Sequence, residues 1–197
     1  MFHRALLTAS VAAALVVPGA AFASTWSIDA SHSEVGFSVR HMMVSNTKGK
    51  FKKFEGTVQL NDKDVTKSTV NVTIDAGSVD TENEKRDGHL KSPDFFNVAK
   101  HPKLTFKSTK VKKKGSGLEV TGQLSLHGVT KTVVLKVDEL TNAVKDPWGM
   151  TRRGLTATTK INREDFGLTW NKALETGGVV VGKEVKISLE IELVKKG

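Results

Sequence analysis

Apolar and polar residues alternate along most of this chain, and the alternation is most regular near its C-terminal end. In the longest run, single charged or hydroxyl residues separate five apolar ones: Val185, Ile187, Leu189, Ile191 and Leu193. Successive side chains of a β-strand point to opposite faces, so this spacing predicts a strand with one buried and one exposed face. A helix would scatter these residues around its surface, and the pattern therefore favours an all-β fold.

Shorter segments with the same alternation bring the expected number of strands to about eight. Lys114–Gly117 and His127–Gly128 have the composition of hairpin turns. Such strands form either a sandwich or a barrel. The strand lengths favour a closed antiparallel barrel, and so does the last strand, because pairing it with the first strand removes an exposed sheet edge.

Glycines interrupt three of the predicted strands, at Gly36, Gly56 and Gly122. A glycine within a strand marks either a bend or a place where another group approaches the backbone closely. Both explanations suit strands that coil around a barrel, and the sequence does not choose between them.

The first 23 residues have the organisation of a signal peptide. The basic residues His3 and Arg4 precede the apolar segment Ala5–Val17, and Ala21–Ala23 has the small-x-small pattern of a cleavage site. We therefore expect cleavage after Ala23, a single folded domain over residues 24–197 and, in a bacterium, export to the periplasm. The apolar segment is too short to predict a transmembrane helix.

Composition excludes several functions. The chain has no Cys, which rules out a Cys nucleophile, a Cys-ligated metal and a disulfide framework. Its formal net charge is +9, and a basic surface attracts anionic partners. Predicted export argues against nucleic acid. The lysines are spread along the chain, so they are either solvated strand faces and hairpin tips or a surface for peripheral contact with an anionic membrane. A homodimer is a further hypothesis about its partners.

Motifs that would indicate catalysis or metal binding are missing from the sequence. The five histidines of the predicted domain lack the spacing of a metal site on one strand or helix face. Gly115-Ser116-Gly117 lacks the strand–turn–helix context of a hydrolase nucleophile. The sequence therefore predicts a protein that is not an enzyme and that has no metal and no cofactor.

One charged, helix-like segment, Thr81–Phe96, interrupts the alternating pattern. Thr81 is a predicted helix cap, and Phe95 and Phe96 are expected to point in different directions, one into the barrel and one outside. The segment is then either a hydrophobic plug with an Arg86–Asp87 ion pair or a lid over a ligand. In the lid hypothesis, Arg86 or His89 contacts the polar head of that ligand.

Six segments of the chain resemble, in order, the motifs of one known family. They are Ser33–Met42, Gly49–Gly56, Arg86–Phe96, His101–Phe106, Gly122–Thr130 and Asn162–Leu168. Together they span nearly the whole predicted domain. On these motifs the chain resembles the YceI family of periplasmic, lipocalin-like proteins.

The resemblance implies an eight-stranded antiparallel lipocalin-like barrel with a short helical segment between strands. It also implies that the barrel carries or sequesters a long-chain amphiphile: a polyisoprenoid, an isoprenoid quinone, or a fatty acid or amide. The candidates for the apolar wall are Val35, Phe37, Val39, Phe51, Phe54, Phe95, Phe106, Phe166, Leu168 and Trp170. The polar candidates at the mouth are Arg40, His41, Arg86 and His89.

Two other functions remain open at this point. One is an accessory protein of quinone or redox metabolism, which would need a titratable cluster or a bound cofactor. The other is a periplasmic stress-response protein without a tightly held ligand, whose barrel would be filled by its own side chains.

Overall fold

The computed structural model describes residues 23–175 and 177–197. The predicted signal peptide lies outside this part of the chain, apart from Ala23, which begins the first strand. In chain order the elements are β1 (Ala23–Ile28), β2 (Glu34–His41), β3 (Ser45–Phe51), β4 (Phe54–Asn61), β5 (Thr69–Asp75), β6 (Val79–Asp80), α1 (Glu84–Lys91), β7 (Lys103–Lys114), β8 (Gly117–Leu126), β9 (Val129–Leu140), β10 (Val144–Lys145), β11 (Thr151–Asn162) and β12 (Val181–Lys195).

Eight of these strands close an antiparallel barrel. Their order around the ring is β11-β9-β8-β7-β5-β4-β1-β12, and the β11–β12 pairing closes it. The remaining strands extend the sheet, since β2, β3 and β6 follow one another from β12, and β10 adds to β11. The predicted all-β barrel with one short helix is therefore confirmed.

Strand β12 holds the barrel together because it pairs along both edges. One edge runs beside β11 from Asn162↔Glu184 to Arg152↔Val194. The other edge pairs first with β2 and then with β1, where Trp26 lies opposite Lys195. The predicted pairing of the last strand with the first is thus present, and it leaves β12 without a free edge over most of its length.

The two hairpin turns predicted from the sequence are both present. Lys114 pairs with Gly117, and Leu126 pairs with Val129. The second turn has positive φ at both central residues, 53° at His127 and 77° at Gly128. This is the backbone that a tight two-residue hairpin requires, and glycine adopts it without steric cost.

The barrel has two ends that differ in how they are closed. At the helix end lie α1, the β8–β9 turn and the 3-10 turn Arg163–Phe166, where His127 Nδ1 is 3.2 Å from the Phe166 carbonyl oxygen. At the hairpin end lie the β7–β8 turn, the end of β4 and the start of β11. None of the described helices has the length and hydrophobicity needed to cross a bilayer.

Gly122 shows why a glycine is needed within a strand of this barrel. A Cβ placed there would lie 2.4 Å from Cζ of Phe106, so the aromatic ring occupies the space that a side chain would take. Of the two explanations for strand glycines, close approach therefore applies at this position. Phe106 lies against β8 as a result, and the interior in front of it stays open.

Candidate functional site

The barrel encloses an elongated cavity of about 260 Å³. Its wall is apolar except for Gly36, Ser68, Thr159 and Arg163. The alternation read from the sequence produces this wall, because the inward row of each strand is the apolar one. The volume lies just below the usual range for ligand pockets, about 300–1,000 Å³, so a slender, flexible chain fits it better than a rigid fused-ring molecule.

The structure brings most of the predicted apolar residues together. Those that line the cavity are Val35, Phe37, Val39, Phe51, Phe95, Phe106 and Leu168. The other three, Phe54, Phe166 and Trp170, belong to the same hydrophobic core but are not part of the lining. Phe166 is the most deeply buried of the three at 2% exposure, which makes it a packing residue of the helix end.

The segment before α1 differs from its predicted arrangement. Asn83, not Thr81, caps the helix, and its side chain accepts a hydrogen bond of 3.0 Å from the Arg86 backbone N–H. Thr81 is buried instead, and the side chains of Arg86 and Asp87 both form hydrogen bonds with it. Asp87 Oδ1 accepts from the Thr81 hydroxyl at 2.5 Å, while Arg86 donates to the Thr81 carbonyl oxygen at 2.7 Å.

These contacts decide the role of Arg86. Its Nε also donates to the Thr81 hydroxyl oxygen at 2.7 Å, so the guanidinium fixes the turn into α1. Within the described residues, Arg86 and Asp87 form no ion pair with each other. Both side chains are engaged with Thr81, and Arg86 does not line the cavity. Arg86 is therefore built into the structure of the helix end.

Phe95 and Phe96 both line the cavity, so the expectation that one of them points outside is wrong. The ring of Phe96 meets Phe51 edge-on at 5.6 Å between centroids. The ring of Phe95 lies 5.3 Å from Trp170. Together the two rings join the segment after α1 to Phe51 of β3 and to Trp170, and they place aromatic surface at the helix end of the cavity.

The other polar candidates lie at the helix end but outside the lining. His89 Nε2 is 2.8 Å from Asp94 Oδ2, and its ring stands edge-on to both Phe95 and Trp170. Arg40 is exposed and donates a 2.7 Å hydrogen bond to the Met43 carbonyl oxygen. His41 is partly buried at the end of β2. None of these side chains supplies a charge to the cavity wall.

Arg163 is the cationic residue that lines the cavity, and the sequence argument missed it. It is 3% exposed, and its guanidinium donates to the carbonyl oxygens of Gly182, Leu168 and Val181. Burial lowers the pKa of this guanidinium below its usual range. A signal existed in the sequence, because Arg163 extends the inward row Leu155–Ile161 by one step of two residues.

A second cluster of charges lies outside the barrel, around Arg152. Its guanidinium donates to Asp146 Oδ2 at 2.6 Å, to Asp29 Oδ2 at 2.8 Å and to Glu192. Asp29, His32 and Glu192 place their ligand atoms within 4.8 Å of one another, close enough to consider a metal ion. Because Arg152 already neutralises two of these groups, we interpret the cluster as an ion-pair network that ties β1, β11 and β12 together.

This network predicts a dependence of stability on pH. The hydrogen bond from Arg152 lowers the pKa of Asp146, and hydrogen bonds from Ser31, His32 and Arg152 lower the pKa of Asp29. A carboxyl whose pKa is depressed by folding stabilises the protein above its unfolded pKa of about 4 and loses that contribution as the pH falls. We expect Arg152→Met to lower Tm at pH near 7, and the difference from the parent to shrink below about pH 4.

Thermal unfolding followed by circular dichroism over this pH range measures the effect. Lys186→Met is a suitable control, since Lys186 carries the same charge on the exposed outer face of the neighbouring strand β12. A Tm difference for Arg152→Met that stays constant with pH would show that the carboxylates of this network are not the source.

The fold and the cavity define a class of protein: a closed, lipocalin-like β-barrel with an apolar interior. The sequence model of the YceI-like domain matches residues 26–193. The chain therefore belongs to the YceI family. Protein YceI of Salmonella newport is 44% identical over 166 residues, which are 83% of this chain and 86% of that protein.

Solved structures agree with this assignment. The Campylobacter jejuni YceI protein superposes with a TM-score of 0.68 at 32% identity, over 86% of this chain and 96% of that one. A polyisoprenoid-binding domain from Saccharophagus degradans, implicated in plant cell wall breakdown, superposes with a TM-score of 0.60 over 87% of this chain and 98% of that domain. Its identity is 18%, so this second likeness concerns the fold.

Proposed function

We propose that this protein binds a long-chain amphiphilic lipid inside the barrel, in the periplasm, and carries or sequesters it there without chemical change. The observation that carries the proposal is the cavity, whose wall is almost entirely apolar and has the rings of Phe95 and Phe96 at one end. A polyisoprenoid, an isoprenoid quinone and a fatty acid all present the long apolar chain that such a wall requires.

The energetics suit this ligand class. Burial of apolar surface contributes about 25 cal/mol per Å², and each buried CH₂ contributes about 0.8 kcal/mol. A flexible chain enclosed on all sides therefore binds firmly without any specific contact. The same numbers predict weak discrimination between tails that differ by one carbon, so selectivity must come from the head group.

The fold comparison supports the same ligand class. The Saccharophagus degradans domain is a polyisoprenoid-binding domain, and it shares the barrel with this chain. Family membership and the cavity together favour a binding role over the alternative of a barrel filled by its own side chains. The predicted signal peptide supports the periplasm as the place where the lipid is bound.

Filling the cavity tests the proposal. Ala157 is 2% exposed and lines the cavity midway along β11, so Ala157→Trp places a large ring in the path of the ligand. We expect uptake of a long polyprenol and of oleic acid to fall at least tenfold, which corresponds to about 1.4 kcal/mol. Native mass spectrometry after incubation with each lipid, followed by lipid extraction, measures uptake.

The neighbouring residue provides a matched control. Thr158 is exposed on the outer face of the same strand, so Thr158→Trp adds the same ring without entering the cavity. Uptake by this variant should equal that of the parent. Equal uptake by Ala157→Trp and the parent, or no uptake of any lipid by the parent, would refute binding inside the barrel.

A further inference from the structure

A second pocket, of about 390 Å³, continues the cavity at the hairpin end. The two spaces share part of their walls, through Leu60, Val65, Leu118, Val137 and Leu140. This pocket has three charged residues in its wall, Asp62, Lys113 and Arg153, whereas the cavity has one, Arg163. Arg153 comes from the inward row of β11, and Lys113 lies two residues beyond the lining residue Val111 on β7. The apolar cavity therefore leads into a polar mouth at the end away from α1.

Arg153 lies on the row that builds the cavity wall. Leu155, Ala157 and the next two odd-numbered residues of β11 line the cavity, and Arg153 precedes them with the same orientation. It is paired with Leu193 of β12, which also lines the cavity. An arginine therefore lies at each end of this row: Arg153 at the mouth, and Arg163 in the turn that follows β11 at the helix end.

The two arginines differ in what they bind. Arg163 donates to three backbone carbonyl oxygens, as described above. Arg153 makes no hydrogen bond or ion pair with any residue in the described part of the chain, and its Nε is buried without a partner. Its guanidinium carbon lies 5.6 Å from the centre of the Trp26 ring. Stacking on an aromatic face holds a guanidinium while leaving its N–H edges free.

The charge around Arg153 favours an anion. The pocket wall contains two cations, Arg153 and Lys113, and one carboxylate, Asp62, which gives 2 − 1 = +1. The Asp62 carboxylate accepts a 3.0 Å hydrogen bond from the Ser24 hydroxyl. Hydrogen bonds from Thr66 lower the pKa of nearby Asp64, and the charge of Lys113 also contributes to this shift. A guanidinium with free donors at the end of an apolar cavity matches a phosphate or carboxylate, which accepts charge-assisted hydrogen bonds from it.

We propose that Arg153 binds the anionic head group of the lipid, a phosphate or a carboxylate, at the hairpin end. This inference rests on the proposed function and fixes the direction of the ligand. The head lies at Arg153 beside Trp26, and the tail runs through the cavity towards Phe95 and Phe96. The helix end, where the lid hypothesis expected the head group, holds the end of the tail instead.

Three probes with one tail and different heads test this orientation: oleyl phosphate, oleic acid and oleyl alcohol. The parent should bind the two anionic probes at least about tenfold more tightly than the alcohol. In Arg153→Met the two anionic probes and the alcohol should bind with affinities that differ by no more than about twofold. Comparison of the phosphate and the acid shows which oxyanion the site prefers, and binding of the alcohol by the variant reports that its cavity is formed.

Two further variants separate the alternatives. Lys145→Met removes an exposed charge at the same end of the barrel and should keep the parental ratio. If Arg86→Met abolishes the preference while Arg153→Met keeps it, the head group lies at the helix end and the inference is overturned. A parent that binds all three probes equally overturns the inference but leaves the proposed function standing. A parent that binds none of them refutes both.

Discussion

Replacing Phe95 by Asp is expected to lower the free energy of unfolding by about 3–5 kcal/mol and to abolish lipid uptake. Phe95 is 7% exposed and packs between His89 and Trp170 at the helix end of the cavity. The cation in the wall, Arg163, already donates to three backbone carbonyl oxygens. A carboxylate at position 95 is therefore buried without a free partner, which is strongly unfavourable. Urea unfolding measures the stability, and native mass spectrometry measures the uptake.

Ala99→Asp serves as the control for Phe95→Asp. Ala99 is exposed in the same connection between α1 and β7, so the variant carries the same charge without burying it. Its stability should stay within about 0.5 kcal/mol of the parent. Parental stability and parental uptake in Phe95→Asp would show that Phe95 is not part of the cavity wall.

Replacing Arg163 by Met is expected to cost about 3 kcal/mol, because it leaves buried carbonyl oxygens without donors. The side chain is 3% exposed and satisfies three backbone oxygens at the helix end, on two different segments of the chain. Each lost hydrogen bond to a charged donor costs about 1.5–3 kcal/mol. Part of this loss is offset, because the variant no longer buries the positive charge of the guanidinium. Urea unfolding of the parent and the variant measures the difference.

Arg163→Lys tests the geometric part of this prediction. Lysine keeps the positive charge, but its single ammonium group cannot reproduce the planar fork of an arginine that reaches three oxygens. We expect the free energy of unfolding of Arg163→Lys to lie between the values for the parent and for Arg163→Met. A fully stable Arg163→Met would mean that the carbonyl oxygens find other partners and that Arg163 is available to a ligand.

The barrel could be predicted from the sequence because its signal is local. A period of two, repeated from strand to strand, specifies both the strand and the face it buries, and β12 shows this from Val185 to Leu193. The same rule would have identified both interior arginines, since Arg153 and Arg163 continue the row Leu155–Ile161. They were missed because a charged residue within a strand is ordinarily assigned to the solvent face.

The helix end was harder to predict because its contacts depend on turns. Arg86 was a reasonable head-group candidate by residue type, yet the turn through Glu82, which has a φ of 59°, brings it back onto Thr81. Phe95 and Phe96 were expected to point in different directions, one into the barrel and one outside. They lie in a series of turns, where neighbouring side chains do not follow the rule of opposite faces, and both reach the cavity.

The position of β12 in the ring has a consequence for how cargo is acquired. The cavity exists only once residues 181–195 lie between β11 and β1. The pairing with β1 joins residues near opposite ends of the described chain, such as Trp26 and Lys195. Contacts of such long sequence separation form late and slowly in folding. A chain still emerging from a ribosome or a translocation channel would present an open, curved sheet. For the proposed function, this order of events means that a lipid enters the barrel only after the ring of strands has closed.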